Sequence, residues 1–198
     1  ILMRMKRVKE LDAYNHLITI HDDKVTFYTE PWSNIIDFFT DQMHFDLYHT
    51  ALRQRMFNKP VFNSEFCYEQ TSISKTTWTW GWNQTPEECV SRAYEVAMAG
   101  AYIGHYYCSH AWDVVRVEDT PKTLTAFSAM YDFLTEMNWI DLIPDPDLSD
   151  RGTRTLRSSN GETIAFYCPD KARARLYPAE MGTQWEGFWM DIWSGERK

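Results

Sequence analysis

The chain alternates short apolar runs with stripes of apolar residues at helical spacing. Met5, Val8 and Leu11 recur on one helical face near the start, which predicts a helix there. His16–His21 follows as an apolar strand bracketed by histidines, and a polar segment with Asp22, Asp23, Glu30 and Pro31-Trp32 separates it from a second strand, Ile35–His44. Leu47–Asn58 returns to helical spacing, with Tyr48, Leu52 and Met56 on one stripe. Pro60–Phe66 reads as a third strand, and residues 70–84 as a loop of Ser, Thr and Trp. Thr85-Pro86-Glu87-Glu88 predicts a helix start, with an N-cap Thr, Pro at the first helical position and Glu at the third. Ile103–Trp112 is a fourth strand. Thr123–Trp139 is an amphipathic helix, with Leu124, Phe127, Tyr131 and Leu134 expected inward.

Alternating strands and helices imply parallel strands joined by helical crossovers. Each predicted strand ends in polar or aromatic residues and then a loop. That is the grammar of an α/β barrel, whose site lies at the C-terminal ends of its strands. Four strands make half of such a barrel. A flavodoxin-like open sheet is the structural alternative, but no Gly-rich phosphate loop follows any strand. Asp141–Gly152, with two prolines and four acids, reads as a linker. Beyond it the grammar changes to short strand candidates at Thr153–Ser158, Thr163–Cys168, Ala174–Tyr177 and Gly187–Trp193. Asn160-Gly161 is the best hairpin signal in the chain. The expected organisation is therefore α/β: residues 1–140 as the C-terminal half of a (β/α)8 TIM barrel, 141–152 as a linker, and 153–198 as a small antiparallel β-sandwich-like module, incomplete at its end.

Charge and composition narrow the partners. A net charge of −8 with no run of Lys and Arg argues against nucleic acid and anionic membranes. No apolar stretch approaches the roughly 20 residues that a membrane-crossing helix needs. Nine Trp and 16% aromatic residues are a high share; part of it is core, and Trp flanked by polar residues suits a sugar-stacking surface. The four cysteines, Cys67, Cys89, Cys108 and Cys168, share no CxxC or other ligand-like spacing, so a zinc site is not expected. Cys67 and Cys108 lie in or beside predicted strands and read as reduced buried thiols, which leaves the compartment undecided. The opening Ile-Leu-Met-Arg-Met-Lys-Arg reads as the middle of a helix with no cleavage pattern, so a preceding portion of a longer protein is expected.

Glu65 is the principal chemical candidate. A carboxylate at the end of an apolar strand is costly unless it lines a cleft or has a partner. Alternation puts Val61, Asn63 and Glu65 on one face. The other strand ends bring His21, Gln42, His44, His110 and Trp112 toward the same end of the sheet, and Trp80 and Trp82 stand in the polar loop. The competing reading makes Glu65 a structural acid in an ion pair. His21, His44, Glu65 and His110 are competent metal ligands, yet their spacing matches no metal motif. No G-x-S-x-G nucleophile turn is present, and a nearby anion disfavours a Cys67 thiolate. Glycoside hydrolysis needs two carboxylates. Asp37, at the wrong end of its strand, and Asp41, pointing away from Gln42 and His44, are weak candidates for the second.

Taken in order, His-Leu-Ile-Thr-Ile-His (16–21), Asp-Gln-Met-His (41–44), Lys-Pro-Val-Phe-Asn-Ser-Glu-Phe (59–66), Arg92-Ala93-Tyr94 through Ala99-Gly100-Ala101, and Gly104-His105-Tyr106-Tyr107 resemble the second half of the apiosidase-like glycoside hydrolase barrel. Leu156-Arg157-Ser158, Ala165-Phe166-Tyr167-Cys168-Pro169 and Trp189-Met190-Asp191-Ile192-Trp193-Ser194-Gly195 resemble the collagen-binding-type β module of such proteins. The resemblance implies that the four strands are staves five to eight and that Glu65 is the nucleophile of a retaining glycosidase. It implies that His21, Gln42, His44, Trp80, Trp82, His110 and Trp112 bind a carbohydrate substrate, with no cofactor. It also implies an acid/base on a fourth stave upstream of residue 1, and an inactive isolated chain. The alternative is a non-catalytic carbohydrate- or matrix-binding protein acting through the β module.

Overall fold

Four parallel strands lie side by side in the order in which the chain makes them. The computed structural model describes residues 2–22, 33–69, 83–107, 120–170, 173–177 and 184–198. Along it run α1 (Leu2–Leu11), β1 (His21–Asp22), β2 (Phe39–Asp41), α2 (Leu47–Arg55), β3 (Val61–Asn63), β4 (Tyr68–Glu69) and β5 (Asn83–Gln84). Then come α3 (Pro86–Ala97), β6 (Tyr102–Ile103), β7 (Tyr106–Tyr107), α4 (Leu124–Glu136), β8 (Leu142–Pro144), β9 (Arg154–Ser158) and β10 (Ile164–Tyr167). The first sheet is β1-β2-β3-β6, all parallel, in the register His21↔Thr40, Phe39↔Val61 and Phe62↔Tyr102. Among the described strands the order does not reverse, as it would at the switch point of a doubly wound sheet.

A second parallel sheet, β5-β4-β7, continues the same chain paths. β3 runs into β4 and β6 into β7, and each pair bonds twice, with a break between. Across that break the β3–β4 path takes five residues from Asn63 to Tyr68, while its partner takes three from Ile103 to Tyr106. Gly104 lies in the shorter path, its N–H donating to Asn63 O at 2.9 Å. A Cβ there would stand 3.0 Å from the Phe62 ring and from Ser64 O, so the close crossing favours glycine.

α3 begins as its sequence predicts. Thr85 Oγ1 accepts from Glu88 N at 3.2 Å, and the Glu88 carboxylate accepts from Thr85 N at 2.8 Å, a capping box with Pro86 in the first turn. The helix buries Cys89, Val90, Ala93, Tyr94, Val96 and Ala97. α4 departs from its predicted face: Ala126 and Met130 are its buried residues, Phe127 and Leu134 pack at the edge of the core, and Leu124 and Tyr131 are exposed.

The strands are shorter than the apolar runs suggest. The run 16–21 pairs as a strand only at His21–Asp22. Earlier, Ile18 N donates to the Asp37 carboxylate at 2.7 Å, not to a neighbouring carbonyl, and Thr19 Oγ1 reaches Phe38 O at 2.7 Å. Lys9 Nζ bonds the same carboxylate at 2.9 and 3.0 Å. Asp37 is thus a structural acid whose pKa is held below its ordinary value, first by Lys9 and then by Ile18 N–H.

Residues 141–152, expected as an irregular linker, carry β8 and a short 3-10 turn at Pro146–Leu148. β8 pairs antiparallel with β9 in the sheet β10-β9-β8. Its proline is tolerated because β8 is the outer strand. The β9–β10 hairpin turns at Asn160-Gly161 as predicted, with Gly161 at φ 71° and its N–H bonded to Ser158 O at 2.9 Å. The strand candidates 174–177 and 187–193 reduce to single bridges, Ser149↔Leu176 and Met190↔Arg197.

This sheet shares its core with α3. Leu156 and Ala165 are buried in the same cluster as Val90 and Ala93. Tyr167 stacks on Tyr94 at 5.2 Å and bonds Ser91 Oγ at 2.9 Å. Arg154 pairs with Glu95 at 2.8 Å and lies over the Tyr48 ring. No helix among the described residues is long and apolar enough to cross a membrane.

Candidate active site

Glu65 stands in the break between β3 and β4, where the chain leaves one ladder before joining the next. Asn63, 1% exposed, shapes that break from the end of β3. Its Oδ1 accepts from Glu65 N at 3.1 Å, and its Nδ2 donates to Met43 O at 3.1 Å. Ser64 N donates to Asp41 O at 2.9 Å. These bonds bind the exit of β3 to the exit of β2 and aim the Glu65 side chain between them.

Both carboxylate oxygens are held. Gln42 Nε2 donates to Oε1 at 2.5 Å. His21 Nε2 lies 3.3 Å from the same oxygen and 3.0 Å from Ser64 Oγ. The Tyr68 phenol donates to Oε2. Tyr68 is itself enclosed: its N–H donates to Gln84 Oε1 at 2.9 Å, and its ring lies 5.3 Å from Tyr106 and 6.1 Å from His44. Burial, and then the nearby Glu65 charge, raises the Tyr106 pKa above its ordinary value. The two sides of the carboxylate differ in access, since the His21 side chain is 48% exposed and Tyr68 only 2%.

Of the residues expected at the site, the structure brings His21 and Gln42 onto Glu65. His44 is buried and stacks on Tyr68, one layer behind the carboxylate. Trp80, Trp82, His110 and Trp112 lie outside the described residues. Tyr68 is not among the residues expected at the site, and strict alternation carried on from β3 would put residues 65 and 68 on opposite faces. The excess residues of the break bring them together. Tyr106 is missed for a related reason, because it belongs to a second short ladder.

The neighbouring acids and thiols are set differently. Glu69, on β4, is fully buried and accepts from His105 Nε2 at 2.9 Å, Thr123 Oγ1 at 2.6 Å, Lys122 N at 2.9 Å and Thr123 N at 3.3 Å. Burial alone would raise its pKa, but the bonds from His105 and Thr123 and the His105 charge outweigh it, and the net shift is downward. Asp41 is also buried, with Oδ1 accepting from Met43 N at 2.9 Å. Cys67 lies 3.7 Å from His105 Nδ1, but burial, reinforced by Cys89, pushes its thiol far up and keeps it protonated. No group of three or more His, Cys, Asp and Glu among the described residues could hold a metal ion.

The arrangement offers one ionisable carboxylate, oriented by a side-chain amide and a phenol, at the open ends of parallel strands. Such a group can attack an electrophilic carbon or take a proton. A family model described as the apiosidase-like catalytic domain matches residues 2–152. No curated protein matches the chain.

Proposed function

The chain belongs to the apiosidase-like catalytic-domain family, and from that premise we propose that Glu65 is the nucleophile of a retaining glycoside hydrolase acting on O-glycosidic bonds of plant-type or other complex polysaccharides. The observation that carries this reading is the setting of Glu65, with both oxygens held by donors where the ends of β1, β2 and β3 meet. The unreversed order of β1, β2, β3 and β6 supports reading them as staves five to eight of a (β/α)8 barrel, with Glu65 after the seventh.

In this reading the Glu65 carboxylate forms a bond to the anomeric carbon while the bond from that carbon to the leaving oxygen breaks. The electron pair goes to the leaving oxygen, which takes a proton from a general acid. Water then releases the sugar from Glu65 with the same acid/base group accepting its proton. Glu69 cannot serve as that acid, because it is enclosed and engaged by His105, Lys122 and Thr123. The proton donor of the barrel plan is a carboxylate on the fourth stave. His21, Gln42 and His44 contribute to holding sugar hydroxyls and Glu65, and Trp80, Trp82, His110 and Trp112 complete the proposed substrate surface.

Hydrolysis of plant cell-wall polysaccharides by the full-length protein, compared with Glu65→Gln, tests the assignment. The expected result is loss of activity by several orders of magnitude with the fold retained. Unchanged hydrolysis by Glu65→Gln would remove Glu65 from the nucleophile role.

A further inference from the structure

We propose that Tyr68 is a positioning residue that commits Oε2 of Glu65 to the interior and leaves Oε1 as the oxygen that attacks; this rests on the reading of Glu65 as nucleophile. A carboxylate turns about its last side-chain torsion between two equivalent states, so an unrestrained Glu presents either oxygen. Here the two oxygens are not equivalent. Oε2 accepts the phenol of a residue that is 2% exposed. Oε1 faces Gln42 and the half-exposed His21, on the side from which a sugar can approach.

Tyr68 suits such a role because three strands fix it. Its backbone pairs with Asn83 on β5 and Tyr106 on β7, and its N–H is held by Gln84. Its ring is held by Tyr106 on one side and His44 on another. The ordering of the phenol is therefore complete before substrate arrives, which is what preorganised catalysis requires. A phenol O–H on a carboxylate is a charge-assisted bond that fixes one oxygen without adding a positive charge that would blunt nucleophilicity. Among the described residues the titratable groups facing Glu65 are His21 from β1, Tyr68 from β4 and Tyr106 from β7; Gln42, after β2, is neutral.

The test compares Tyr68→Phe with the unaltered full chain by two readouts. The first is the isotope-edited infrared spectrum of the Glu65 carboxylate, which needs no substrate. Losing the phenol donor should shift the carboxylate stretching bands. The second uses a panel of 4-nitrophenyl glycosides. There kcat should fall about tenfold or more with KM nearly unchanged. Placing 3-fluorotyrosine at position 68 strengthens the donor and should move the bands the other way, which keeps the test available if Tyr68→Phe does not fold. Unmoved carboxylate bands, or an unmoved kcat, overturn the proposal. Activity surviving in Glu65→Gln overturns the nucleophile instead, and the infrared bands still decide whether Tyr68 holds the carboxylate.

Discussion

Glu65 and Glu69 are four residues apart on one strand path, and both are largely removed from water. They are nonetheless held for different ends. Glu69 is closed on all sides by His105, Lys122 and Thr123, so its charge is balanced and its access is nil. Glu65 is held on both oxygens but keeps an open flank past His21. A buried acid is therefore no signature of chemistry by itself. What separates the two is whether a reactant can reach a lone pair that the protein has left in place.

The widest expected separation is between activity and stability. Glu65→Gln should abolish hydrolysis while shifting the denaturation midpoint little, since an amide keeps the shape and still accepts from Tyr68. Glu69→Ala should do the reverse in kind: it strands donors inside the protein and costs about 3 kcal/mol or more in urea unfolding. Equal stability losses in the two variants would break the comparison. Asn63→Ala should fall between them. It removes the acceptor of Glu65 N and the donor to Met43 O, for about 1–3 kcal/mol of stability, and it should lower kcat because the carboxylate loses its aim.

The smallest effect lies in the acid limb of stability. The folded-state pKa of Glu69 is depressed, so its contribution is fully present above the unfolded value of about 4.3. It is lost as pH falls through the lower folded value. Unfolding free energy measured from neutral pH downward should therefore fall less steeply in Glu69→Gln than in the unaltered protein. An identical slope would show that Glu69 titrates alike in both states.

Local signals in the sequence were the ones that carried through. Thr85-Pro86-Glu87-Glu88 and Asn160-Gly161 each state a backbone geometry within a few residues, and the structure builds both. The course of four strands was legible for a similar reason, because apolar runs mark them. Their lengths were not, since Asp37 and Asn63 intercept backbone donors that a regular ladder would use, and nothing local in sequence announces that. β8 was hidden by Pro144 and Pro146, which read as breakers unless the strand is known to lie at a sheet edge. At the site, alternation found Glu65 and the strand-end residues His21 and Gln42. It says nothing of Tyr68, because alternation holds only within an unbroken strand.

The break between β3 and β4 has a consequence for how this site can be edited. It is a surplus of two residues over the partner path, inserted between ladders that are in register before and after it. Because those residues pair in neither ladder, shortening 64–67 would change the break before it changed the pairing on either side. Removing two would make the two paths equal in length and leave both ladders able to pair. In that sense the Glu65 carboxylate is carried on an interpolated phrase of the chain, and the surrounding sheet would scan correctly without it.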